Sequence, residues 1–324
     1  MKVSVIIPVH NRKEYVLRAI RSVKKSSSEA EIIVVKNYSD NNIDQSIERE
    51  GAINIVENSN PLGEKIRRGF IESAGDVICI LEDDDTFAEG KIDRVKEIFE
   101  NSAINFYHNR ALNVNEMGIS LGIMKNRIKI KEGIYEMPAS SEELEMMHKF
   151  KMYYNTSSMA FRKEPIMGYM DHFRDVKLVM DTFLFQISLL AGGSFFNDAT
   201  PFTNYTVHES ASNISGKDFD DFISKAKNFF KIAYEDSLVS LRLSKGTSTE
   251  QYSRAWSIFL ENSVSLFSMD LKNVKYVDLP ESYSWVPFGK RMNFLIRSAI
   301  KAPEIVRRSI LKMIYLNGYR IRKR

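Results

Sequence analysis

The sequence predicts an α/β fold around a doubly wound, mostly parallel sheet. Short β-branched runs alternate with stretches of helical spacing through the first hundred residues, the pattern of parallel βαβ units. The runs are continuously apolar, as strands covered on both faces are. One run also marks a site: "VICIL" (77–81) ends in four consecutive acids, Glu82, Asp83, Asp84 and Asp85. In an open parallel sheet, ligands bind outside the carboxyl ends of the strands.

The elements follow in order. "VSVIIPV" is the first strand. Residues 12–25 carry Val16, Ala19, Ile20 and Val23 at helical spacing. "EIIVV" (31–35) is a second buried-type strand, "IDQSIERE" a short helix and "AINIVE" a third strand. Leu62–Ser73 reads as a helix with Ile66, Phe70 and Ile71 on one side, and residues 76–81 as the fourth strand. "GKIDRVKEIFE" returns to helix. From about Ile104 the rhythm changes: "INFYHNRALNV" and "ISLGIMKNRIKI" flank the turn-like "NEMG", an antiparallel excursion. "SSEELEMMHKF" opens with a Ser cap and first-turn acids, so it is a helix. "NTSSMAF" reads as a strand, and "DTFLFQISLLAGG" as an apolar helix stopped by two glycines. "SFFND" and "NYTVHE" close the unit near residue 215. Residues 218–237 and 249–269 then read as helices, and 290–317 as two basic amphipathic helices, the second opened by Pro303.

At 324 residues the chain allows one large domain or two linked units. The single cysteine, Cys79, excludes a disulfide framework and a Cys-based zinc site. The N-terminal run is short, holds Pro8 and reads as a strand rather than a signal peptide. No stretch approaches the roughly 18 apolar residues of a spanning helix. The expected setting is the cytoplasm, with peripheral attachment to the cytoplasmic membrane face as its extension. Residues 290–324 carry eleven bases and one acid, a local charge of +10 in a chain whose total is +4. A local basic patch points to a specific anionic partner.

Adjacent carboxylates repel, and a bound cation removes that repulsion. Magnesium takes one or two carboxylates together with water and substrate phosphates. An acid run at the mouth of such a sheet therefore suits a metal–diphosphate site. Taken alone, it also suits a solvated turn that favours the next helix N-terminus. The neighbouring motifs separate the two readings.

"VSVIIPVHNR", "EIIVVKNYSDN", "NPLGEKIRRGFIESAGDVICILEDDDTF" and "MDTFLFQISLLAGGSFFND…NYTVHESASNIS" occur in one order at one set of spacings. This set resembles the family 2 glycosyltransferases, which have the GT-A fold, over about residues 1–215. The resemblance implies a nucleotide-sugar-binding part at 1–103, an acceptor-side part at 104–215 and a helical extension at 216–324. It implies a D-x-D-type motif in the acid run, which holds the sugar-nucleotide diphosphate through a divalent cation, magnesium or manganese. Against the usual Leu-Asp-x-Asp-Asp, Glu82 takes the first acidic position, Asp84 that of the main metal ligand and Asp85 the next. A one-residue shift, with Asp83 and Asp85 as the pair, stays open. "PVHNR" matches the family's P-x-x-N loop, placing Pro8, His10 and Asn11 beside the nucleotide with Asp83. The second strand departs from the pattern. Lys36 and Asn37 replace two acids, one of which contacts the base in the family. Asn37 can donate and accept at a base edge, whereas Lys36 only donates, which leaves a uridine, guanosine or thymidine donor open. Asp40 matches the acid after the family's Ser. Lys65, near a helix N-terminus, is placed toward the phosphates, with Arg67 and Arg68 either joining it or lying on a solvated face.

The resemblance also assigns a base. Inverting members use an Asp before an apolar helix, and here that position is Asp181, with Met180 where the family has Glu. A helix cap is the plainer role for the same residue. His208 matches a His near the end of the family's core, which either touches the metal or diphosphate or is structural, and "NTSSMAFRK" matches an acceptor-lining stretch, with Arg162 after the strand either serving it or lying solvated at a strand end. The implied reaction is a metal-dependent single displacement that moves a sugar from a nucleoside-diphosphate donor to a hydroxyl of a glycan or lipid-linked saccharide. The basic tail lies outside the resemblance. It either lies on an anionic membrane surface or packs on its own unit. No recognisable nucleic-acid module accompanies it, and no P-loop, GxGxxG or HExxH pattern is present. A sugar nucleotidyltransferase would open with a Gly-rich loop, which is absent. A non-catalytic sugar-nucleotide binder is the remaining rival.

Overall fold

The computed structural model describes residues 1–59, 61–123, 132–207, 214, 216–268 and 276–322. The chain divides into two compact units, Met1–His208 and Glu209–Arg324.

In the first unit β1 (Val3–Val9), β2 (Glu31–Lys36), β3 (Ile53–Val56) and β4 (Val77–Ile80) alternate with α1 (Lys13–Ser26), α2 (Asn41–Arg49) and α3 (Leu62–Glu72). β5 (Thr86–Phe87) and α4 (Lys91–Phe99) follow. Next come β6 (Ile104–Val114), β7 (Ser120–Ile123), β8 (Gly133–Glu136) and α5 (Ser141–Lys149). β9 (Met159–Arg162), α6 (Lys163–Met167), α7 (Met180–Ala191) and β10 (Ser194–Thr206) complete it. All ten strands share one sheet, in the order β3-β2-β1-β4-β9-β6-β10-β5, with β7 on β6 and β8 on β10. β3, β2, β1 and β4 run parallel. β9 is antiparallel to both its neighbours, while β6 and β10 are parallel to each other.

Continuous apolar strands produce this arrangement because both faces are covered. Every residue of β1 and of β4 is buried. Val16, Ala19, Ile20 and Val23 of α1 and Ile92, Val95 and Phe99 of α4 enter one core with Val5, Ile7 and Cys79. α3 lies so close to the segment after α6 that a Cβ on Gly63 would sit 1.8 Å from the Phe173 carbonyl oxygen. α5 starts in a capping box between Ser140 and Glu143.

Three boundaries differ from the sequence expectation. The "NTSS" part of the expected strand is a 3-10 turn at Thr156–Ser158, and only Met159–Arg162 is extended. Asn155 causes this: it takes φ +68°, and its side-chain oxygen accepts from the Ser157 N–H. "SFFND" and "NYTVHE" are expected as separate pieces, yet Ser194–Thr206 is one strand whose register shifts between Asp198 and Thr203. Pro201 within that gap has no N–H to give a ladder. The antiparallel excursion forms between β6 and β7, and the part of "ISLGIMKNRIKI" from residue 124 onward lies outside the described residues.

The second unit is helical: α8 (Phe219–Ser244), α9 (Glu250–Phe267), α10 (Lys290–Lys301) and α11 (Glu304–Arg322). Its core gathers Phe222, Ala226, Leu266, Phe267, Ala299, Ile300 and Leu311. Arg307 is buried on the packed side of α11, and Arg308 pairs with Asp220 at 3.2 Å. Ile310 packs on this core, whereas Val306, Met313 and Ile314 face outward. Among the described residues no helix is long and apolar enough to cross a membrane.

Candidate active site

The parallel register aligns the strand ends. Val9 pairs with Lys36, and Ile6 pairs with Ile80, so the stretches after β1, β2 and β4 leave the sheet along one edge. β9 runs the other way, with Ala160 opposite Cys79, so the turn before it lies beside the acid loop. Asn11, Asn37, Glu82–Asp85 and Asn155–Ser158 therefore meet at the same edge.

Asp83, Asp84 and Asp85 are buried, at 1%, 6% and 1% exposure. Burial and mutual repulsion push the Glu82 carboxyl up to about 7. The Asp83 carboxyl also rises to about 7, burial outweighing the pull of Arg12. Burial raises Asp85 well above the usual carboxylate range, with Asp84 and Glu82 adding to it. The protein answers this charge in part. The Arg12 guanidinium forks between Asp83 Oδ1 at 2.9 Å and Asp84 Oδ2 at 2.5 Å. Its fixed fork of donors matches two carboxylates. The backbone of the loop is pinned from behind: Arg18 Nη2 and Thr206 Oγ1 both donate to the Asp84 carbonyl, and the Thr206 N–H donates to Asp85 Oδ1 at 2.8 Å.

The β1 side gathers the other donor-side residues. The His10 N–H points at Asp83 Oδ2, 3.4 Å away, and Lys65 Nζ lies 3.4 Å from His10 Nδ1. Burial lowers the pKa of Lys65; burial, with Lys65 and Arg12 adding to it, lowers that of His10. Asn11 and Asn37 pair with each other, through Asn11 N–H to Asn37 Oδ1 and Asn37 Nδ2 to Asn11 Oδ1. Pro8 sits inside β1 opposite Val35. Asp40 caps α2, accepting from Asn42 and Ile43, and pairs with Lys13 at 2.6 Å. Lys36 is fully buried and bonds Asp44 at 2.8 Å and the Tyr38 carbonyl. Arg67 and Arg68 pair with Glu64 and Glu72 of their own helix. Arg162 donates to the carbonyls of Ile104, Phe99 and Asn101. It pairs in register with Val77, the first residue of β4. The antiparallel run of β9 thus carries it away from the acids, to the other end of the sheet. His208 lies outside the described residues.

Asp181 is in the first turn of α7 and is tied to the acid loop through one short segment. Its carboxylate accepts from the Thr182 N–H at 2.7 Å and the Asn155 N–H at 3.1 Å. The next residue, Thr156, donates through Oγ1 to Glu82 Oε1 at 2.6 Å, and Ser157 Oγ accepts from the Glu82 N–H at 3.0 Å. Burial raises the Asp181 pKa against these bonds. Beneath the turn, the fully buried Lys91 donates to the Ser157 carbonyl and to Thr203 Oγ1 at 3.1 Å. Burial lowers Lys91 to about 7.

The acid loop offers oxygen donors alone, the chemistry of magnesium or manganese. Among the described residues no group of three or more acids, His or Cys is arranged as a self-contained metal site.

The family model for glycosyl transferase family 2 matches residues 4–169. The chain belongs to this family. Among curated proteins, an uncharacterized glycosyltransferase of Nostoc (alr2836) is 32% identical over 111 residues, 32% of this chain and 34% of that one. An uncharacterized glycosyltransferase of Rickettsia bellii is 30% identical over 122 residues, 36% of this chain. The matched part spans 34% and 18% of those relatives' lengths. Among solved structures, residues 1–349 of S. aureus TarS in complex with UDP-GlcNAc share the fold with a TM-score of 0.58 at 14% identity, covering 98% of this chain and 92% of that one. A longer TarS structure gives 0.55 at 12% identity, with 97% and 55% covered. The fold is of GT-A type. Arg12, Arg18, Thr156, Ser157 and Thr206 contact the acid loop, although the motif reading gave them no individual role. Arg12 ends the quoted "PVHNR", and Thr156 and Ser157 lie in "NTSSMAFRK", where the pairing of β9 with β4 sets them against Glu82.

Proposed function

We propose that this protein is an inverting, metal-dependent glycosyltransferase that moves a sugar from a nucleoside-diphosphate donor to a hydroxyl of a glycan or lipid-linked saccharide. One observation carries the reading: the segment Asn155–Ser157 holds Glu82 of the acid loop and the buried carboxylate of Asp181 together. In this reading Asp84, flanked by Glu82 and Asp85, holds the divalent cation, and His10, Arg12 and Lys65 face the diphosphate. Asp83 and the Asn11–Asn37 pair border the nucleotide. When bound, the cation supplies Lewis-acid stabilisation of the departing diphosphate. Asp181 takes the proton from the acceptor hydroxyl. Its raised pKa brings it nearer to neutrality, where a general base works best. The two backbone N–H groups it accepts from fix its direction.

The TarS relative bound to UDP-GlcNAc makes a UDP-sugar the first donor to try. Lys36 is committed to Asp44, so base recognition falls to Asn37 and its neighbours. The test is a thermal-shift panel of UDP, GDP, dTDP and CMP with and without manganese. One diphosphate is expected to stand out; at a hundredfold excess over Kd a specific ligand adds about 2.7 kcal/mol of apparent stability. No shift from any of the four would end the donor reading. Binding without turnover of the matching sugar nucleotides would favour the non-catalytic binder.

The tail fits a second contact. Phe294, Leu295 and Ile305 are 67%, 57% and 82% exposed beside Lys290, Arg291 and Lys301. Apolar groups among bases suit an anionic membrane surface. In vesicle flotation, Phe294→Ser with Leu295→Ser is expected to lose binding to anionic liposomes; equal flotation of both proteins would exclude the contact.

A further inference from the structure

Beside the Asn155 turn the first unit has a small pocket, lined by His108, Arg110, Lys151, Tyr154, Asn155 and Asn197 among others. It has about 20 Å³ of room for atom centres, enough for one compact group and too little for a sugar ring. Strand alternation sets its wall: His108 and Arg110 share the face of β6 that carries Phe106, which packs edge-on against Phe185 of α7. Asp181 opens that same helix.

The charges of this pocket are unbalanced. Among the described residues neither Arg110 nor Lys151 has an ion pair, although most other arginines of this unit do. The Arg110 Nε is buried with no hydrogen-bond partner. Lys151 is partly buried, and burial lowers its pKa. Its backbone takes φ +60°, an uncommon conformation for a residue with a side chain, and its Nζ lies 6.0 Å from the centre of the Tyr154 ring. His108 Nε2 donates to the Tyr154 carbonyl at 3.1 Å, and the ring is held neutral, its pKa lowered by burial to about 4. Two cations without acids, on a wall shared with the residue that orients Asp181, describe a receptor for an anion.

We propose that this pocket is a subsite for an anionic group, a phosphate or a carboxylate, carried by the acceptor. The proposal rests on Asp181 marking the acceptor side. It narrows the acceptor class to hydroxyl compounds with a negative group close to the hydroxyl that reacts. Arg110 supplies a two-pronged contact and Lys151 a point charge.

The experiment uses the whole chain with UDP and magnesium at saturation, so that the diphosphate place is filled. Inorganic phosphate, acetate and glycerol are titrated by calorimetry into wild type, Arg110→Gln and Lys151→Gln. Phosphate is expected to bind in the wild type at least tenfold tighter than in either variant; acetate binding alone would make the group a carboxylate. Lys151→Arg keeps the charge and is expected to retain binding, which separates loss of charge from loss of folding. Equal phosphate and acetate binding in all proteins, or binding no stronger than that of glycerol, overturns the proposal. UDP affinity is measured for each protein in a separate titration, and the anion titrations are repeated without UDP. If UDP fails to bind while the phosphate difference persists, the donor reading falls and the anion pocket stands.

Discussion

The two sides of the site treat charge in opposite ways. On the β1–β4 side, acids and bases answer one another: Arg12 forks across Asp83 and Asp84, Lys13 meets Asp40, and Lys36 meets Asp44. On the β6–α7 side, Arg110 and Lys151 stand without acids among the described residues, and Asp181 is held by neutral donors, backbone N–H groups and the Thr182 side chain. On the first side a ligand of the acids has to compete with the Arg12 ion pairs, whereas on the second no such pair stands in the way among the described residues.

The largest effect expected from breaking this contrast is at Asp181. Asp181→Asn preserves shape and one of the two accepted backbone hydrogen bonds, since the Thr182 and Asn155 N–H groups bond different carboxylate oxygens, and it removes the base. Turnover of the matching donor and acceptor is expected to fall by about 10²–10⁴, with donor binding by calorimetry unchanged. Unchanged turnover would remove Asp181 from that role.

A smaller effect follows from Arg12→Ala, which unpairs two buried carboxylates on the β1–β4 side. Arg12 is 33% exposed, so screening tempers the loss. The ligand-free protein is expected to lose about 1–3 kcal/mol in urea unfolding. Magnesium is expected to restore more stability to this variant than to wild type. Equal restoration in both would mean that Arg12 does not stand where the cation binds.

The smallest effect is a pH dependence centred on Lys91, which lies under both sides. Its folded pKa is about 7, depressed from the usual 10.5. Between those values the unfolded chain binds the extra proton, so the contribution of Lys91 to stability rises with pH through that window. A tenfold difference in proton affinity between the folded and unfolded chain corresponds to about 1.4 kcal/mol. From pH 7 to pH 9, wild type is expected to gain on the order of 2 kcal/mol relative to Lys91→Met in thermal unfolding. Parallel curves for the two proteins would contradict a buried, proton-poor Lys91.

Much of this was legible in the chain. The strands β1, β2 and β4 announce themselves by unbroken apolar runs, and the family model's match to residues 4–169 supports the reading of the motifs. The ends of those strands and the acids between them are local in sequence, so their meeting follows from parallel register. What the sequence could not reveal depends on the long antiparallel return of β9. Thr156 and Ser157 reach Glu82 across more than seventy positions, and no periodicity encodes that contact. Arg162 failed for the same reason: its strand runs backwards, so a residue expected near the acceptor lies at the far end of the sheet. Lys36 and Asp40 sit in motif positions, yet a buried salt bridge and a helix cap engage them.

The Asn155–Ser157 turn has a further consequence. It grips Glu82 at its carboxylate and backbone and Asp181 at its carboxylate, so thermal displacement of the turn carries both groups in the same direction. A shift of the turn therefore moves both groups, and these bonds tie their separation to its geometry. Reactions that need two groups at a set separation depend on that gap and not on where either group stands. A three-residue bracket of this kind therefore gives dimensional tolerance to a site whose parts lie a hundred residues apart in the chain.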